Sequence, residues 1–441
     1  MDRRTLQAGS GEIVMVRIGL FIILYGLIPA VQSYLYIIDL AFVTPASALN
    51  YIFSIFSYYA VFSHLLISVK IPRMQHILPY DRMIKFHALS GILLTLAIYY
   101  HGAFKLLSGK ELEGTSIMLF FLWTFLLFLA VIWIETPFSR SIRNALLKRF
   151  VVLKRIPYDL LKGIHEYLFF AFAIITFIHI NESDLLYSSY SFITVYGSGF
   201  PIAVLALVLY GRLRRFFFPR FTVMSVRNEA DTLVLTLSSA GKHSLRYRSG
   251  QFGYLKVLKK GMNREEHPFS FLSHAHEKEV MLGIKSLGDF TRSIQALLPG
   301  DTVSINGGFG NFIPSADEKP KVFIGSGIGI VPLVSLVREM RHIPPKGVTD
   351  VFLAVTLREE LLFEEELKEL EKTIGNLNLH LYVYKEDGIL YTSELFRQAI
   401  GNPEQAHYFI CSSPGVREIV TSALTSIGAS KNKIHFEAFS Y

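Results

Sequence analysis

The chain has 441 residues, of which 51% are hydrophobic and 18% are charged, and its formal net charge is +8. Soluble globular proteins carry about 25% charged residues, so this composition excludes a fully soluble enzyme, a disordered protein and a fibrous one. The single cysteine, Cys411, excludes an intrachain disulfide framework and any cysteine-ligated zinc or iron–sulfur site.

Long apolar runs are concentrated in residues 1–211, whereas residues 221–441 have the composition of an ordinary globular chain. A helix needs about 20 mostly apolar residues to cross a bilayer. Six runs meet this requirement: Ile18–Ile38, Tyr51–Val69, Ile84–Ala103, Ile117–Ile134, Leu160–His179 and Phe192–Tyr210. The sequence therefore predicts a bundle of six transmembrane helices in residues 1–215.

Lysine and arginine are distributed unevenly over the loops between these runs. They concentrate after the second and fourth runs: Lys70, Arg73, Arg82, Lys85, Arg140, Arg143, Lys148, Arg149, Lys154, Arg155 and Lys162. The loops after the first and fifth runs have none, and the loop after the third has only Lys105 and Lys110. Because cytoplasmic loops are rich in lysine and arginine, the pattern predicts an integral inner-membrane protein, surrounded by lipid, with both termini cytoplasmic. It also explains the positive charge without a nucleic-acid partner.

Four histidines in the third and fifth runs form two matched pairs. His87 and His101 are fourteen positions apart, and so are His165 and His179. Over fourteen residues a helix rises about 21 Å and returns to within about 40° of the same face. The third and fifth runs cross in the same direction, so His87 would lie level with His165, and His101 with His179.

This arrangement fits two planar groups stacked across the membrane, each between two imidazoles, and haem is the obvious group. The alternative is that the histidines only make polar contacts between helices. Ionisable residues within membrane spans are rare and usually functional, which favours metal ligation by His87, His101, His165 and His179. His64 has no partner at this spacing and is interpreted as a helix contact.

The pattern of the second half changes near residue 318. Residues 216–318 alternate in the manner of strands and predict a small β-barrel. In residues 319–441 strands and helices alternate, which predicts an α/β doubly wound parallel sheet. The first of these strands runs into Gly325-Ser326-Gly327-Ile328-Gly329 and then into a helix that begins near Pro332. Backbone amides in such a turn can bind a pyrophosphate.

Two segments of the predicted barrel resemble known flavin-binding motifs. His267-Pro268-Phe269-Ser270 and Gly288-Asp289-Phe290-Thr291 resemble the motifs of ferredoxin–NADP reductase-like domains. The resemblance implies that the first segment lines the flavin ring and ribityl chain and that the second holds the pyrophosphate. Members of that family often have Arg-x-Tyr-Ser where this chain has His-Pro-Phe-Ser. Thr291 and nearby backbone would have to replace the phosphate contact of that arginine.

The nucleotide half carries matching features. The Gly325–Pro332 turn resembles the nicotinamide-dinucleotide loop of the same family. Cys411-Ser412-Ser413-Pro414 resembles its Cys-Gly-Pro segment beside the nicotinamide, with Ser412 in place of glycine. Tyr441 resembles a terminal aromatic residue that stacks on the flavin, so Tyr441 and Cys411 are the candidate catalytic residues. Arg358 follows the second strand of the sheet, where an arginine could pair with a 2′-phosphate and select NADPH over NADH.

Together with the histidine pairs, these motifs resemble the NADPH oxidase and ferric reductase superfamily, most of all its bacterial NADPH oxidases. The resemblance implies a multidomain membrane protein that uses two haem b groups, FAD and NADPH, with NADH also possible. It implies an NAD(P)H oxidase that passes electrons from cytoplasmic NADPH to an extracytoplasmic acceptor. The first candidate for this acceptor is dioxygen, which would be reduced to superoxide. Two alternatives stay open: a ferric-chelate reductase, and a donor subunit that feeds a partner redox protein. The sequence itself points to no particular protein partner.

Overall fold

The computed structural model describes residues 19, 22–40, 42–66, 80–109, 111, 113–133, 149, 158–182, 191–214, 218–229, 231–240, 245–262, 265–388 and 391–437. The chain divides into two compact units, Met1–Phe216 and Phe217–Tyr441. Tyr441 lies outside the described residues, as do most of the basic loops predicted after the second and fourth apolar runs.

The described residues of the first unit are almost all helical. A π-helical turn at Ile23–Leu27 leads directly into the first α-helix. The α-helices are α1 (Ile28–Asp39), α2 (Pro45–Leu65), α3 (Tyr80–Leu107), α4 (Gly114–Trp133), α5 (Tyr158–Glu182) and α6 (Ser191–Arg214). The start of α2 is capped by Thr44, whose hydroxyl accepts a hydrogen bond from the backbone N–H of Ser47 at 3.2 Å.

Three of the described helices are long and apolar enough to cross a membrane. These segments are Phe86–Leu107 in α3, Leu160–Glu182 in α5 and Val195–Leu213 in α6. Gly114–Ala130 in α4 is apolar but shorter. In α2, polar side chains such as Asn50, Ser57 and His64 lower the hydropathy and are buried within the unit. Three of the six predicted spans are thus supported by length and composition, and the six-span bundle stays a prediction.

Aromatic side chains between the helices form much of the core of the first unit. Tyr58 and Phe62 of α2 are almost fully buried and belong to one apolar cluster with Trp123 of α4 and Phe172 of α5. The Tyr58 hydroxyl donates a hydrogen bond to the carbonyl oxygen of Gly197 in α6. Helix α2 packs against α1, α3, α5 and α6, and α4 packs against α5. This packing positions α3 and α5, the helices that carry the histidine pairs.

The second unit begins with a six-stranded antiparallel barrel. Its strands are β1 (Arg220–Glu229), β2 (Thr232–Ser239), β3 (Phe252–Val257), β4 (Glu266–Ser270), β5 (Val280–Lys285) and β6 (Thr302–Phe309). They follow the order β4-β3-β6-β1-β2-β5, and a bridge between Phe271 and Leu282 closes the ring. A short helix, α7 (Asp289–Ile294), lies between β5 and β6. The predicted β-barrel is therefore confirmed.

A five-stranded parallel sheet follows the barrel. Its strands are β7 (Lys321–Ser326), β8 (Thr349–Val355), β9 (Leu377–Val383), β10 (His407–Cys411) and β11 (Ile434–Glu437). The connecting helices are α8 (Ile330–Met340), α9 (Glu364–Thr373), α10 (Tyr384–Asp387), α11 (Ser393–Ala399) and α12 (Pro414–Ser426). The strand order β11-β10-β7-β8-β9 confirms the predicted doubly wound sheet.

Helix α8 joins the sheet to the barrel. A Cβ placed on Gly283 of β5 would lie 2.6 Å from the Val331 side chain, so strand and helix approach closely. The Ser335 hydroxyl donates a hydrogen bond of 2.7 Å to the carbonyl oxygen of Ser273. Leu272, from the same barrel segment, belongs to the apolar cluster that α8 shares with the sheet. Barrel and sheet therefore share one apolar cluster, beside the separate core inside the barrel.

Candidate functional site

The turn between β7 and α8 depends on glycine. Gly327 has a φ of 55°, in the left-handed region, and the space where a side chain would lie is open. Gly329 is in close contact instead, since a Cβ there would lie 2.0 Å from the carbonyl oxygen of Cys411. A Cβ on Gly325 would lie 2.6 Å from a leucine side chain of α8, and Pro332 is buried in the first turn of that helix. Glycine thus keeps the turn close to β10 and leaves the Gly327 face open.

A cavity of about 510 Å³ lies at the carboxyl ends of β7, β8 and β10. Its lining includes the residues 326–329, Thr356 after β8 and the residues 412–414 after β10. The strand order of the sheet reverses between β7 and β10. Doubly wound sheets bind nucleotides in the crevice at this reversal. The structure therefore brings the glycine-rich turn together with Ser412 and Pro414, as a dinucleotide site requires.

Cys411 lies beneath this cavity rather than in its wall. It ends β10 beside Gly325 of β7, and its side chain is fully buried in the core. Burial raises the pKa of the thiol well above its usual range, and the nearby Glu437 carboxylate adds to the effect. The sulfur is therefore a neutral thiol and not the thiolate that nucleophilic chemistry needs. Tyr391 fixes the same region, because its hydroxyl donates a 2.6 Å hydrogen bond to the Gly325 carbonyl.

Arg358 follows β8, as predicted, but its guanidinium is held by carboxylates. It donates to Glu386 at 2.6 Å and lies 3.2 Å from Glu364, and the Glu386 contact in particular raises the pKa of Arg358. The wall of the cavity at β8 instead contains Glu360, which accepts a 2.8 Å hydrogen bond from the backbone N–H of Thr356. A carboxylate at this position suits a free ribose hydroxyl better than a 2′-phosphate.

We expect Arg358→Ala to change kcat/KM for NADPH and for NADH by the same factor, about threefold at most. The guanidinium is already neutralised, and exposed ion pairs contribute little. Anaerobic stopped-flow measurement of flavin reduction by each nucleotide checks this result. Lys368→Ala is the matched control, since Lys368 is an exposed cation that pairs with the same Glu364. A tenfold or larger loss confined to NADPH would instead assign Arg358 to the 2′-phosphate.

Two basic residues line the cavity without a motif that marks them in the sequence. Lys285, the last residue of β5, reaches the cavity from the barrel, pairs with Asp231 and lies 3.6 Å from Glu360. Burial alone would lower the pKa of Lys285, but the two carboxylates raise it, so the ammonium stays charged. Arg417 lies in α12, with its guanidinium 5.1 Å from the ring centroid of Phe436. Arg417 suits the phosphates of a dinucleotide, whereas Lys285 is already paired with carboxylates.

The structure brings together the two segments that resemble flavin-binding motifs. The segment from His267 to Ser270 lies within β4, which pairs with β3, and Pro268 is opposite Tyr254. The His267 ring stacks on Phe290 of α7, with ring centroids 3.8 Å apart and planes at 24°. Phe269 lies 6.2 Å from the same ring at 14°. These aromatic faces at the start of α7 suit the planar ring of a flavin.

Thr291 shapes the turn at the start of α7. Its hydroxyl oxygen accepts hydrogen bonds from the backbone N–H groups of Leu287 and Gly288, both at 2.9 Å. The hydroxyl hydrogen is directed to the Gly288 carbonyl at 3.0 Å. Thr291 is therefore engaged within the turn. The phosphate contact that replaces the missing arginine would fall to backbone and not to the Thr291 hydroxyl.

In the helical unit, His87 of α3 and His165 of α5 lie together. Their ring centroids are 6.2 Å apart, with planes at 88°. Metal–imidazole bonds are about 2 Å long, so two imidazoles that share one metal ion have ring centres about 6 Å apart. The buried Nδ1 of His87 has no hydrogen-bond partner among the described residues. His64 has both ring nitrogens engaged, with the Ala60 carbonyl at 2.7 Å and the Ser90 hydroxyl at 2.8 Å.

The second pair of histidines has hydrogen-bond partners at Nδ1. In His101 this atom lies 2.6 Å from the Ser54 hydroxyl and 3.0 Å from Oδ1 of Asn50. In His179 it lies 3.2 Å from the Thr115 hydroxyl. Metal-binding histidines commonly bind the metal through one nitrogen and hydrogen-bond through the other. The donor chemistry of both pairs therefore fits axial ligation of haem iron.

Comparison with protein families identifies the two parts of the second unit. Residues 216–323 match the model for an FAD-binding domain, and residues 323–421 match the model for an oxidoreductase NAD-binding domain. These matches adjoin at β7, where the barrel gives way to the parallel sheet.

Two curated relatives are similar to a part of this chain of about the same length as the family matches. The chain is 24% identical over 215 residues to the F subunit of the Na(+)-translocating NADH-quinone reductase of Idiomarina loihiensis, which covers 43% of this chain and 52% of that protein. It is 25% identical over 164 residues to the protein of the same name from Actinobacillus pleuropneumoniae, covering 34% and 40%. The chain thus spans about half the length, or less, of these relatives.

Solved structures show similar coverage. The FAD/NAD-binding domain of nitric oxide dioxygenase from Vibrio cholerae has 21% identity and a TM-score of 0.44, covering 50% of this chain and 98% of that one. Ferredoxin-NADP+ reductase from Plasmodium falciparum has 18% identity and a TM-score of 0.43, covering 50% and 96%. With the family matches, the geometry identifies the second unit as an FAD-binding domain and an NAD-binding domain of a flavin- and NAD(P)H-dependent electron-transfer oxidoreductase.

Proposed function

We propose that this chain transfers electrons across a membrane. The route runs from cytoplasmic NADPH or NADH through FAD and two b-type haems to an extracytoplasmic acceptor, of which dioxygen, reduced to superoxide, is the first candidate. The observation that carries the proposal is the 6.2 Å pairing of His87 with His165 in a helical unit that precedes the two cofactor domains. When bound, the flavin accepts two electrons as hydride and the haems carry them singly.

The residues of the second unit would bind and orient the nucleotide. Arg417 supplies positive charge for its phosphates from α12. The open face of Gly327 allows close approach of the pyrophosphate to the backbone. The segment that starts with Ser412 forms the opposite wall, where the nicotinamide would lie. Because Glu360 presents a carboxylate to the cavity, we expect NADH to bind at least as tightly as NADPH.

The residues of the helical unit would determine how an acceptor is reduced. His87 with His165, and His101 with His179, would hold the two haems. Haems held in this way would supply single electrons to an acceptor. This arrangement supports one-electron reduction of dioxygen to superoxide, and it supports reduction of a ferric chelate by the same route.

A donor subunit is the second candidate, and one observation favours it. The relatives named above are F subunits of Na(+)-translocating NADH-quinone reductases, so the region similar to this chain belongs to a subunit of a larger assembly in those proteins. In that role, this chain would pass electrons to a partner redox protein. It would then show little turnover alone.

The test is NADPH- and NADH-driven reduction of cytochrome c by the purified full chain in detergent, with and without superoxide dismutase. We expect dismutase to remove most of the signal, because cytochrome c would be reduced by free superoxide. A rate that persists with dismutase, or that appears only with a ferric chelate, would favour ferric-chelate reduction. A rate that stays low until a co-purifying protein is added would favour the donor subunit.

A further inference from the structure

We infer that Ser54 and Thr115 are positioning residues that fix the tautomers of His101 and His179, so that each ring presents Nε2 to the iron of one haem. The inference rests on the proposed function, because it takes these two histidines as haem ligands. It assigns roles to two hydroxyl groups that no sequence motif marks.

The argument for His101 follows from counting hydrogens. A serine hydroxyl has a single hydrogen, and Ser54 donates it to the Asn50 carbonyl at 2.7 Å. In the 2.6 Å contact with His101, the Ser54 oxygen must therefore accept, and Nδ1 must carry the hydrogen. Oδ1 of Asn50, at 3.0 Å from the same Nδ1, is a second acceptor. A neutral His101 with its hydrogen on Nδ1 has its lone pair on Nε2.

His179 reaches the same state through different neighbours. The Thr115 hydroxyl donates at 2.7 Å to Glu182, whose carboxylate can only accept. The Thr115 oxygen must therefore accept from Nδ1 of His179 in the 3.2 Å contact. A carboxylate oxygen of Glu113 lies 3.7 Å from this nitrogen and also favours a hydrogen there. Two independent sets of side chains thus leave Nε2 as the ligand atom of both rings.

His87 differs from His101 and His179 in this respect. Nδ1 of His87 is buried without a hydrogen-bond partner in the part of the chain that the structure describes. Acceptors at Nδ1 increase the basicity of a metal-bound imidazole. The haem held by His101 and His179 would therefore be stabilised in its ferric form and have the lower reduction potential. A lower potential makes that haem the stronger reductant toward an acceptor.

The test is a redox titration of the two haems in the purified full chain, followed by their visible spectra. We expect Thr115→Val, which keeps the shape but removes the acceptor, to raise one of the two midpoint potentials and leave the other unchanged. A tenfold change in that equilibrium corresponds to about 59 mV for one electron. Ser54→Ala is expected to shift the same haem in the same direction. Thr115→Ser, which keeps the hydroxyl, is expected to restore the original value.

Thr176→Val is the matched control, because Thr176 is buried on the helix of His179 and its hydroxyl donates only to the Phe172 carbonyl at 2.8 Å. The two haem midpoint potentials of Thr176→Val should equal those of the unmodified chain. Loss of one haem in Thr115→Val that Thr115→Ser restores also supports the inference. If Thr115→Val and Ser54→Ala both titrate like the control, the inference is wrong and the proposed function stands. If the unmodified chain binds no haem, the proposed function is wrong and this inference with it.

Discussion

Replacing His165 with leucine is expected to halve the haem content of the purified chain and to abolish electron delivery from NADPH to cytochrome c. The ring centroids of His165 and His87 are 6.2 Å apart, so the substitution would remove one of the two imidazoles that would hold this haem. Flavin reduction by NADPH should continue, because the nucleotide cavity belongs to the other unit of the chain. Haem is measured by pyridine haemochrome spectra and flavin reduction by anaerobic stopped flow.

His64→Leu is the matched control for this experiment. The His64 ring lies only 5.0 Å from that of His87, but both its nitrogens are engaged by neighbouring helix groups. This variant should therefore keep both haems, even where its stability is lower. An unchanged haem content in His165→Leu would contradict the assignment of His165 as a ligand. Loss of haem in His64→Leu alone would move the assignment to His64.

Gly329→Ala is expected to lower kcat/KM for NADPH and NADH by about 10- to 100-fold. The added Cβ would lie 2.0 Å from the Cys411 carbonyl oxygen. This oxygen belongs to the backbone, so no side-chain rotation can relieve the clash. Overpacking of this kind costs about 1–3 kcal/mol. If that cost displaces the turn from its binding geometry, it corresponds to the 10- to 100-fold loss of kcat/KM. Anaerobic flavin reduction measures the effect, and haem content should be unchanged.

Gly401→Ala provides the control in the same domain. The position of its Cβ has no atom within 4 Å, so its substitution should leave kcat/KM unchanged within about twofold. If Gly329→Ala reduces the flavin as fast as Gly401→Ala does, the glycine-rich turn is not the part of the cavity that binds the nucleotide. A loss that affects only NADPH would point instead to the region of Glu360.

The fold of the second unit could be predicted because its signals are local. Alternation marked the barrel strands, and the run from Gly325 to Gly329 marked the first turn of the parallel sheet. The closure of the barrel through Phe271 and Leu282 could not be predicted, because alternation marks where strands lie and not which strands pair. In the helical unit, polar side chains of α2 are buried among other helices. Hydropathy therefore identifies that helix less clearly than it identifies α3.

Functional residues could be predicted from the sequence only where a single segment of the chain contains the pattern that marks them. The glycine-rich turn and the histidine spacing could be recognised from the sequence alone. Arg358 could be placed after β8, but its partner Glu386 is contributed by a different strand–helix connection, so the ion pair that occupies the guanidinium could not be foreseen. Lys285 enters the nucleotide cavity from the barrel. The hydroxyl of Thr115 reaches His179 from another helix.

The apolar cluster shared by barrel and sheet has a consequence for building chimeras from this chain. Val331 and Ser335 on α8 contact barrel residues, and the apolar cluster of the sheet includes Val234 and Leu272 from the barrel. A graft that exchanged only the nucleotide half at residue 318 would cut through this cluster and leave apolar surface uncovered on both pieces. The transferable cassette is the whole segment that begins near residue 217, so a new electron donor is introduced by exchanging both cofactor domains together.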